Sequence, residues 1–514
     1  MASRHVGGHV HTRPRAAGPA PSALPALRAI QRALQSERPE RERREAVEAA
    51  RCLLETAEGR WLFAAGCPGE REDVVRTYRD VTVCLTRRSA PPAGDLGGGV
   101  GGETPLSAAA ESPSAVAQVL QRLVRKLHEE KGQDSPAGAI LDAILPPLLL
   151  FCAAHQQNAP WSSLASRRAA GELLAALLQA TGCATATELL SGTAEAGHGA
   201  LGAVLREMQP QADKETGKLN PASGRVLCWV LERARSPALS LHLDAALPPA
   251  LLLSDDYRTN NKVLGVRCLQ HIIVNVPPAE LLQYNRAQVL YHALYNHLYT
   301  HEVSLVQAVL PCLLALLPVL EGPPVPGKPR APGPSDDTLR LILTHMEAED
   351  KIPLRRVYAS HLPTFTARLG ITVLRHWKRL QRVILGYLEV DDGSSDEAAR
   401  LGVLRTLETV IQQAWPRVFG DRARLWLEPL LRALLRLVLD VCEGGSEAAG
   451  SREQLLQSAT RCVCLLHHCS SDTVPLVLTR LVSSCDSRAV RTWLQGTQQE
   501  INSSSSGRQQ LAPR

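Results

Sequence analysis

The amino-acid sequence predicts an all-α fold of stacked helix pairs, and three observations predict it. Aromatic residues make up only 4% of the chain against a background rich in Leu and Ala, and few segments show the apolar alternation of a strand. Between Val263 and Val276, one helical face carries Val263, Val266, Leu269, Ile273 and Val276, and a second carries Leu264, Cys268 and Ile272. A helix apolar on two sides lies between neighbours. Third, a pattern of acid, short gap, base and helix-spaced apolar residues recurs at Asp256/Lys262, Asp350/Arg356, Asp392/Arg400 and Asp486/Arg491.

Lys262, Arg356, Arg400 and Arg491 are separated by 94, 44 and 91 residues. Those gaps are two, one and two periods of a repeat of roughly 40 to 47 residues. That period predicts an α-solenoid of HEAT or armadillo type, in which each repeat buries its faces only against the next. The recurring acid is expected to cap a helix and pair with a base of the adjacent repeat, forming a ladder.

In chain order, residues 1–22 are basic, without an acid, and rich in Pro, and are expected to form a disordered tail. A mitochondrial presequence would share the basic, acid-poor composition, but Pro14, Pro19, Pro21 and Pro25 interrupt its helix. N-terminal helices are expected within 23–88, followed at 89–113 by a linker rich in Gly, Pro and Ala. Residues 114–321 form the first part of the solenoid, with helices near 114–130, 137–155, 161–181 and 200–208. Another is expected from Asn220-Pro221, an N-cap residue followed by a proline suited to the first turn. The central helices run from Leu247 to Leu320, cut by polar turns such as Ser254-Asp255-Asp256. A proline-rich loop, 322–335, precedes C-terminal repeats over 336–495 and a disordered tail at 496–514.

The two most apolar runs, Ile140 to Ala154 and Leu305 to Leu320, are shorter than the roughly 20 residues of a membrane span and contain Pro146, Pro147, Pro311 and Pro318. They are expected to be buried repeat helices, with no membrane partner. Thirteen cysteines, scattered singly through apolar runs, suit reduced thiols in the cytoplasm or nucleus.

The formal net charge of +6 can be placed within residues 351–440, which hold 15 Lys and Arg against 9 Asp and Glu. A helix from Ile371 to Leu388 would set Arg375, Lys378, Arg379 and Arg382 opposite Leu374, Trp377, Leu380, Val383, Ile384, Tyr387 and Leu388. This basic face is a candidate partner surface, weighed against a simple solvated face. Tyr291, Tyr295 and Tyr299, four residues apart, are either a core stripe or partner anchors. Nucleic acid is not the favoured ligand, because no aromatics are interleaved on the basic face and no helix-turn-helix, zinc-finger or RNP motif accompanies it. Ser394 and Ser395, ahead of Asp396 and Glu397, read both as acidic-kinase sites and as a helix start.

Catalytic and cofactor chemistry finds little support. Cys462, Cys464, His467, His468 and Cys469 have metal-ligand side chains, but no second cluster completes a knuckle. His292, His297 and His301 lie close together, yet Leu305 stands where a metalloprotease signature begun at His301-Glu302 needs its second histidine. The run Gly97 to Gly102 lacks the strand and the Lys-Ser or Lys-Thr of a phosphate loop. No enzyme activity, catalytic residue, metal or cofactor is expected.

The segments SDDYRTNNKVLGVRCLQHIIVNVPPAELLQYNRAQVLYHALYNHLYT and LRLILTHMEAEDKIPLRRVYASHLP resemble the Tel two interacting protein 2 family. The resemblance is close from about Asp255 to Tyr299, good to about Val390, weaker from Pro160 to Arg235 and after Trp415, and slight before Pro160. It implies a non-enzymatic α-solenoid that joins two larger helical-repeat subunits in the Triple T (TTT) complex. That assembly is a cochaperone that works with the heat shock protein 90 machinery to mature and stabilise phosphatidylinositol-3-kinase-related kinases, and so supports DNA-damage and growth signalling in the cytoplasm and nucleus. The alternative from the residues alone is a HEAT-repeat adaptor of nuclear transport or of nucleic acid.

Overall fold

The computed structural model describes residues 23–35, 39–64, 68–91, 113–132, 135–192, 199–212, 222–323, 330–390, 397–418, 424–443, 449–470 and 473–509. Among these residues there are helices and turns and no strand, and the arrangement is the expected HEAT-like α-solenoid. The chain divides into two compact units, residues 1–252 and 253–514, a division that the proline-rich loop at 322–335 does not mark.

In the first unit, α1 (Leu24–Ala33), α4 (Pro68–Arg88), α6 (Ala137–His155) and α9 (Leu201–Ala212) pack in series. A second layer runs α2 (Glu40–Thr56), α5 (Pro113–Glu129), α7 (Leu164–Thr181) and α8 (Ala186–Ser191), with short α3 (Gly59–Leu62) against α5. The helices before the linker therefore belong to the same stack as those after it. The physical link is the apolar stripe of α4, where Val74, Tyr78, Val81 and Leu85 are buried. Ser163 caps α7 through a reciprocal box with Ser166, and Gly182 ends it at φ 74°, a left-handed position that glycine takes without a Cβ penalty. The unit ends with α10 (Ser223–Arg233), α11 (Ala238–Leu241) and most of α12 (Leu243–Ser254). Asn220 and Pro221, expected to open α10, lie outside the described residues.

In the second unit, α13 (Thr259–Asn275), α16 (Val303–Glu321), α18 (Ile352–Leu369), α20 (Ala398–Val418), α22 (Ala449–Cys469) and α24 (Arg488–Gln509) stack in series. Short α14 (Pro278–Leu282) and α15 (Arg286–Asn296) pair with α16. The other layer holds α17 (Pro334–Ala348), α19 (Trp377–Leu388) and α21 (Arg424–Glu443), each packed on the next. The helix α23 (Thr473–Ser484) packs on α22 and α24. Two glycines let helices approach closely. A Cβ on Gly265 would overlap the backbone of Ser254, and one on Gly402 would overlap the carbonyl of Ala359 between α18 and α20.

Both apolar runs become helices of 19 residues, long and apolar enough by length and composition to cross a membrane. Each is packed on both sides: α6 between α4, α7 and α10, and α16 between α13 and α18. Three expected boundaries move. The helix expected from Ile371 begins at Trp377, because residues Gly370–His376 form a tighter 3-10 segment after Gly370 turns the chain at φ 57°. The proline-rich loop ends at Gly333, since Pro334 serves as the first helical residue of α17. The tail expected at 496–514 is helical to Gln509: Leu494, Thr497 and Ile501 continue a buried stripe past the point where composition turns polar. Residues 1–22, Gly97 to Gly102, Asp392, Ser394 and Ser395 lie outside the described residues.

Candidate functional site

The residues proposed from the sequence as partner contacts lie in the second unit: Tyr291 and Tyr295 on α15, Tyr299 in the 3-10 turn after it, Arg375 in the 3-10 segment before α19, and Lys378, Arg379 and Arg382 on α19, with Tyr291 and Arg379 both touching α17. Tyr291, Tyr295 and Tyr299 form one run of touching rings, with centroids 5.4 and 6.0 Å apart, that continues through His345 at 6.2 Å to Tyr358 at 6.1 Å. The four-residue spacing puts the tyrosines on one helical face, and the neighbouring helices supply the rest. Their exposure is graded. Tyr291 is buried, its hydroxyl against Thr338 Oγ1 at 3.4 Å and the Pro334 carbonyl at 3.3 Å, whereas Tyr299 is 60% exposed. Burial, then the neighbouring tyrosines, raises the Tyr295 hydroxyl to about 12, and burial does the same to Tyr358, so both rings stay neutral. Burial lowers His345 as well. Tyr291 is core, Tyr295 is half-buried and Tyr299 is surface.

The basic helix is largely engaged within the chain. Arg379 donates to Glu347 at 2.7 Å and to Thr344 Oγ1 at 3.0 Å, and Arg382 lies 3.7 Å from the same carboxylate. The hydrogen bond from Arg379 holds the Glu347 carboxyl below its ordinary range. Arg375 reaches Asp336 at 3.5 Å and also donates to the Arg330 carbonyl. Lys378 and Arg382 are exposed. The sequence pattern separated polar from apolar faces, but it could not show that α17 supplies acids opposite the arginines.

Sequence reasoning missed the polar junction next to them. Glu321, at the end of α16, accepts from Arg368 Nη2 at 2.7 Å, Ser335 Oγ at 2.6 Å, the Ser335 backbone N–H at 2.7 Å and Arg330. Beside it, Asp336 accepts the Gly333 backbone N–H at 3.2 Å and lies 2.9 Å from His376 Nε2. The Glu321 and Asp336 side chains are only 8% and 5% exposed. Two carboxylates buried this deeply require such partners. The available signal was Glu321 directly before a proline-rich insertion and Ser335-Asp336 directly after it.

The residues of the expected ladder divide between contacts in their own turn and contacts with a neighbouring helix. Asp256 accepts from the Arg258 backbone N–H at 2.8 Å and Asn261 Nδ2 at 3.1 Å, closing its own turn. Lys262 lies near His297, which burial first and Lys262 second push below its ordinary value. Asp350 is exposed before α18 and Arg356 is half-buried on it. Arg400 is buried, 3.5 Å from Glu397 and 3.8 Å from Asp440. Asp486 is exposed, and Arg491 donates to the Cys485 carbonyl.

Among the described residues, no group of three or more His, Cys, Asp or Glu is placed to hold a metal ion. Cys462 is buried with its Sγ 3.6 Å from the Leu404 carbonyl, and burial raises its thiol. The exposed side chains here are those of Tyr299, Lys378 and Arg382, set on a frame of internal ion pairs.

Residues 111–390 match the model of the Tti2 family, a span that includes α5 to α19. The chain is 43% identical over 453 residues to TELO2-interacting protein 2 of Homo sapiens, covering 87% of each chain. It is 42% identical over 459 residues to TELO2-interacting protein 2 of Mus musculus, covering 87% of this chain and 86% of that one. Among solved structures, a crystal structure of importin β aligns with 93% of this chain and 52% of its own, at a TM-score of 0.43 and 12% identity. Yeast importin-β (Kap95p) aligns with 91% of this chain and 56% of its own, at 0.41 and 12%. This chain thus spans about half the length of those two structures. The match to the family model and the two relatives, which extend over most of both chains, carry the assignment: this chain belongs to the Tti2 family.

Proposed function

We propose that this chain is a non-enzymatic scaffold subunit of the Triple T complex. In this reading it binds TELO2 and a second large helical-repeat subunit. The assembly presents phosphatidylinositol-3-kinase-related kinases to the heat shock protein 90 machinery, in the cytoplasm and nucleus. The observation that carries the reading is the 43% identity, over 87% of both chains, to a protein named for its interaction with TELO2. The physical mechanism is mass action: an assembly that binds the folding-competent state of a client raises its population by RT ln(1 + [L]/Kd). A stacked-helix surface suits that role because it presents long faces without a catalytic cleft.

The test is affinity purification of the tagged full chain from cells, at moderate and high salt with nuclease, followed by mass spectrometry. Recovery of TELO2 and one further large helical-repeat protein in near-equal amounts, with chaperone components or related kinases in lesser amount, supports the reading. Recovery of the chain alone overturns it. Nucleic acid that is lost as salt rises would favour the nucleic-acid adaptor instead.

A further inference from the structure

We infer that the cleft between α21 and α23 is a docking groove for an acidic amphipathic helix of a partner protein. The proposal deepens the scaffold reading, on which it rests, by naming one surface and the chemistry it selects. Preceding helices of this layer close on one another, α17 on α19 and α19 on α21. After α21 the layer opens into a groove of about 870 Å³ instead. One wall is Leu431, Leu435 and Leu439, spaced four apart on α21; Val477 and Leu481 of α23 face them, and Leu494 of α24 contributes to the lining.

The dimensions point to a helix. Leu427 begins the same four-residue stripe, so the wall extends over twelve residue steps, roughly 18 Å at 1.5 Å per step, or about three helical turns. A partner helix with apolar residues at i, i+4, i+7 and i+11 would lay its stripe along it, as helices do in apolar grooves. The rim supplies the charge. Arg432, Arg436 and Glu428 line the groove, and exposed Arg480, Arg488 and Arg491, with Asp440 and Asp486, lie within two residues of lining positions in the chain. Glu428 is 2.9 Å from Arg432, and Glu389 is 3.7 Å from Arg436, yet all four side chains are more than half exposed. The surplus positive charge selects Asp and Glu beside the partner's apolar stripe.

The experiment uses the full chain in cells with the photo-crosslinker p-benzoylphenylalanine at position 439, where the native leucine is 39% exposed. A control places it at position 164, an exposed leucine of the first unit. The expected result is a crosslink from position 439, absent from position 164, to an identified amphipathic segment with Asp or Glu beside its apolar residues. Arg432→Glu with Arg436→Glu, which leaves the leucine stripe intact, should reduce that crosslink at least tenfold. The same should follow from Leu435→Asp in a chain whose circular dichroism is unchanged. A crosslink to a second copy of this chain, to a segment without acidic residues, equally from both positions, or to nothing overturns the proposal, as does an undiminished crosslink in the arginine double variant. Those failures leave the scaffold reading standing if TELO2 still copurifies with the wild-type chain, and loss of that copurification is a failure of the scaffold reading itself.

Discussion

Arg368 and Glu321, 47 residues apart in sequence, meet at 2.7 Å where α16 and α18 end, and their side chains are 17% and 8% exposed. Ser335, at the start of α17, shares the same carboxylate. One side chain therefore fastens three helices and both edges of the proline-rich insertion. Removing its charge leaves Arg330 and Arg368 without their acid in a nearly dry site. Glu321→Gln is expected to cost about 3 kcal/mol, the range for breaking a buried pair by losing one partner. Denaturant unfolding of the full chain checks this, and a change within 0.5 kcal/mol would show that water replaces the carboxylate.

The Arg379–Glu347 pair is more open, with side chains 31% and 25% exposed, so its contribution is smaller. Arg379→Glu should cost about 1 kcal/mol, and adding Glu347→Arg should recover a measurable part. Lys378→Glu, at an exposed site, should leave stability within about 0.5 kcal/mol of wild type. If copurification of partners falls for Lys378→Glu but recovers in the Arg379/Glu347 swap, the exposed charge is the partner contact and the internal pair is frame. The reverse pattern would reject that division.

Gly402 makes the close approach of α20 to α18 possible. A Cβ there would sit 3.0 Å from the Cβ of Ala359 and closer still to its carbonyl. Gly402→Ala raises helix propensity by about 1 kcal/mol, yet the overlap should dominate and lower stability by about 1–3 kcal/mol. A rise in Tm would mean the two helices separate without loss.

His155, in the first unit, is buried against Phe151 with ring centroids 4.6 Å apart, and burial lowers it from 6.5 to about 4. Its folded value lies below its unfolded one, so between those values the unfolded state binds more protons and stability rises with pH. The contribution is present above pH 6.5 and is lost as pH falls toward 4, by about 3 kcal/mol. His155→Leu should therefore flatten the acid limb of a Tm-versus-pH curve between pH 6.5 and 4.5. An unchanged slope would assign the acid sensitivity to other groups.

The amino-acid sequence by itself determined the fold class. Apolar residues on two faces of the segment from Val263 to Val276 require neighbours on both sides, and a chain that repeats such segments can bury them only by stacking. The same arithmetic placed most helices, because periodicity is a local property. Residues of the Tyr291 row and the α19 arginines were also legible as chemically unusual. Their roles were not. Tyr291 is core and Tyr299 is surface although the spacing treats them alike, because burial depends on α17 packing across one end of the row. Arg379 is tied to Glu347 and Arg368 to Glu321 because helices more than 30 residues apart are brought together, and no local pattern encodes such a pair. Asp256 was read as part of a ladder and closes its own turn through Arg258 and Asn261, while Arg400 of the same pattern reaches Asp440 on α21. The tertiary structure alone decided where the layer of α17, α19 and α21 fails to close after α21, because a gap is a property of two helices and of neither sequence.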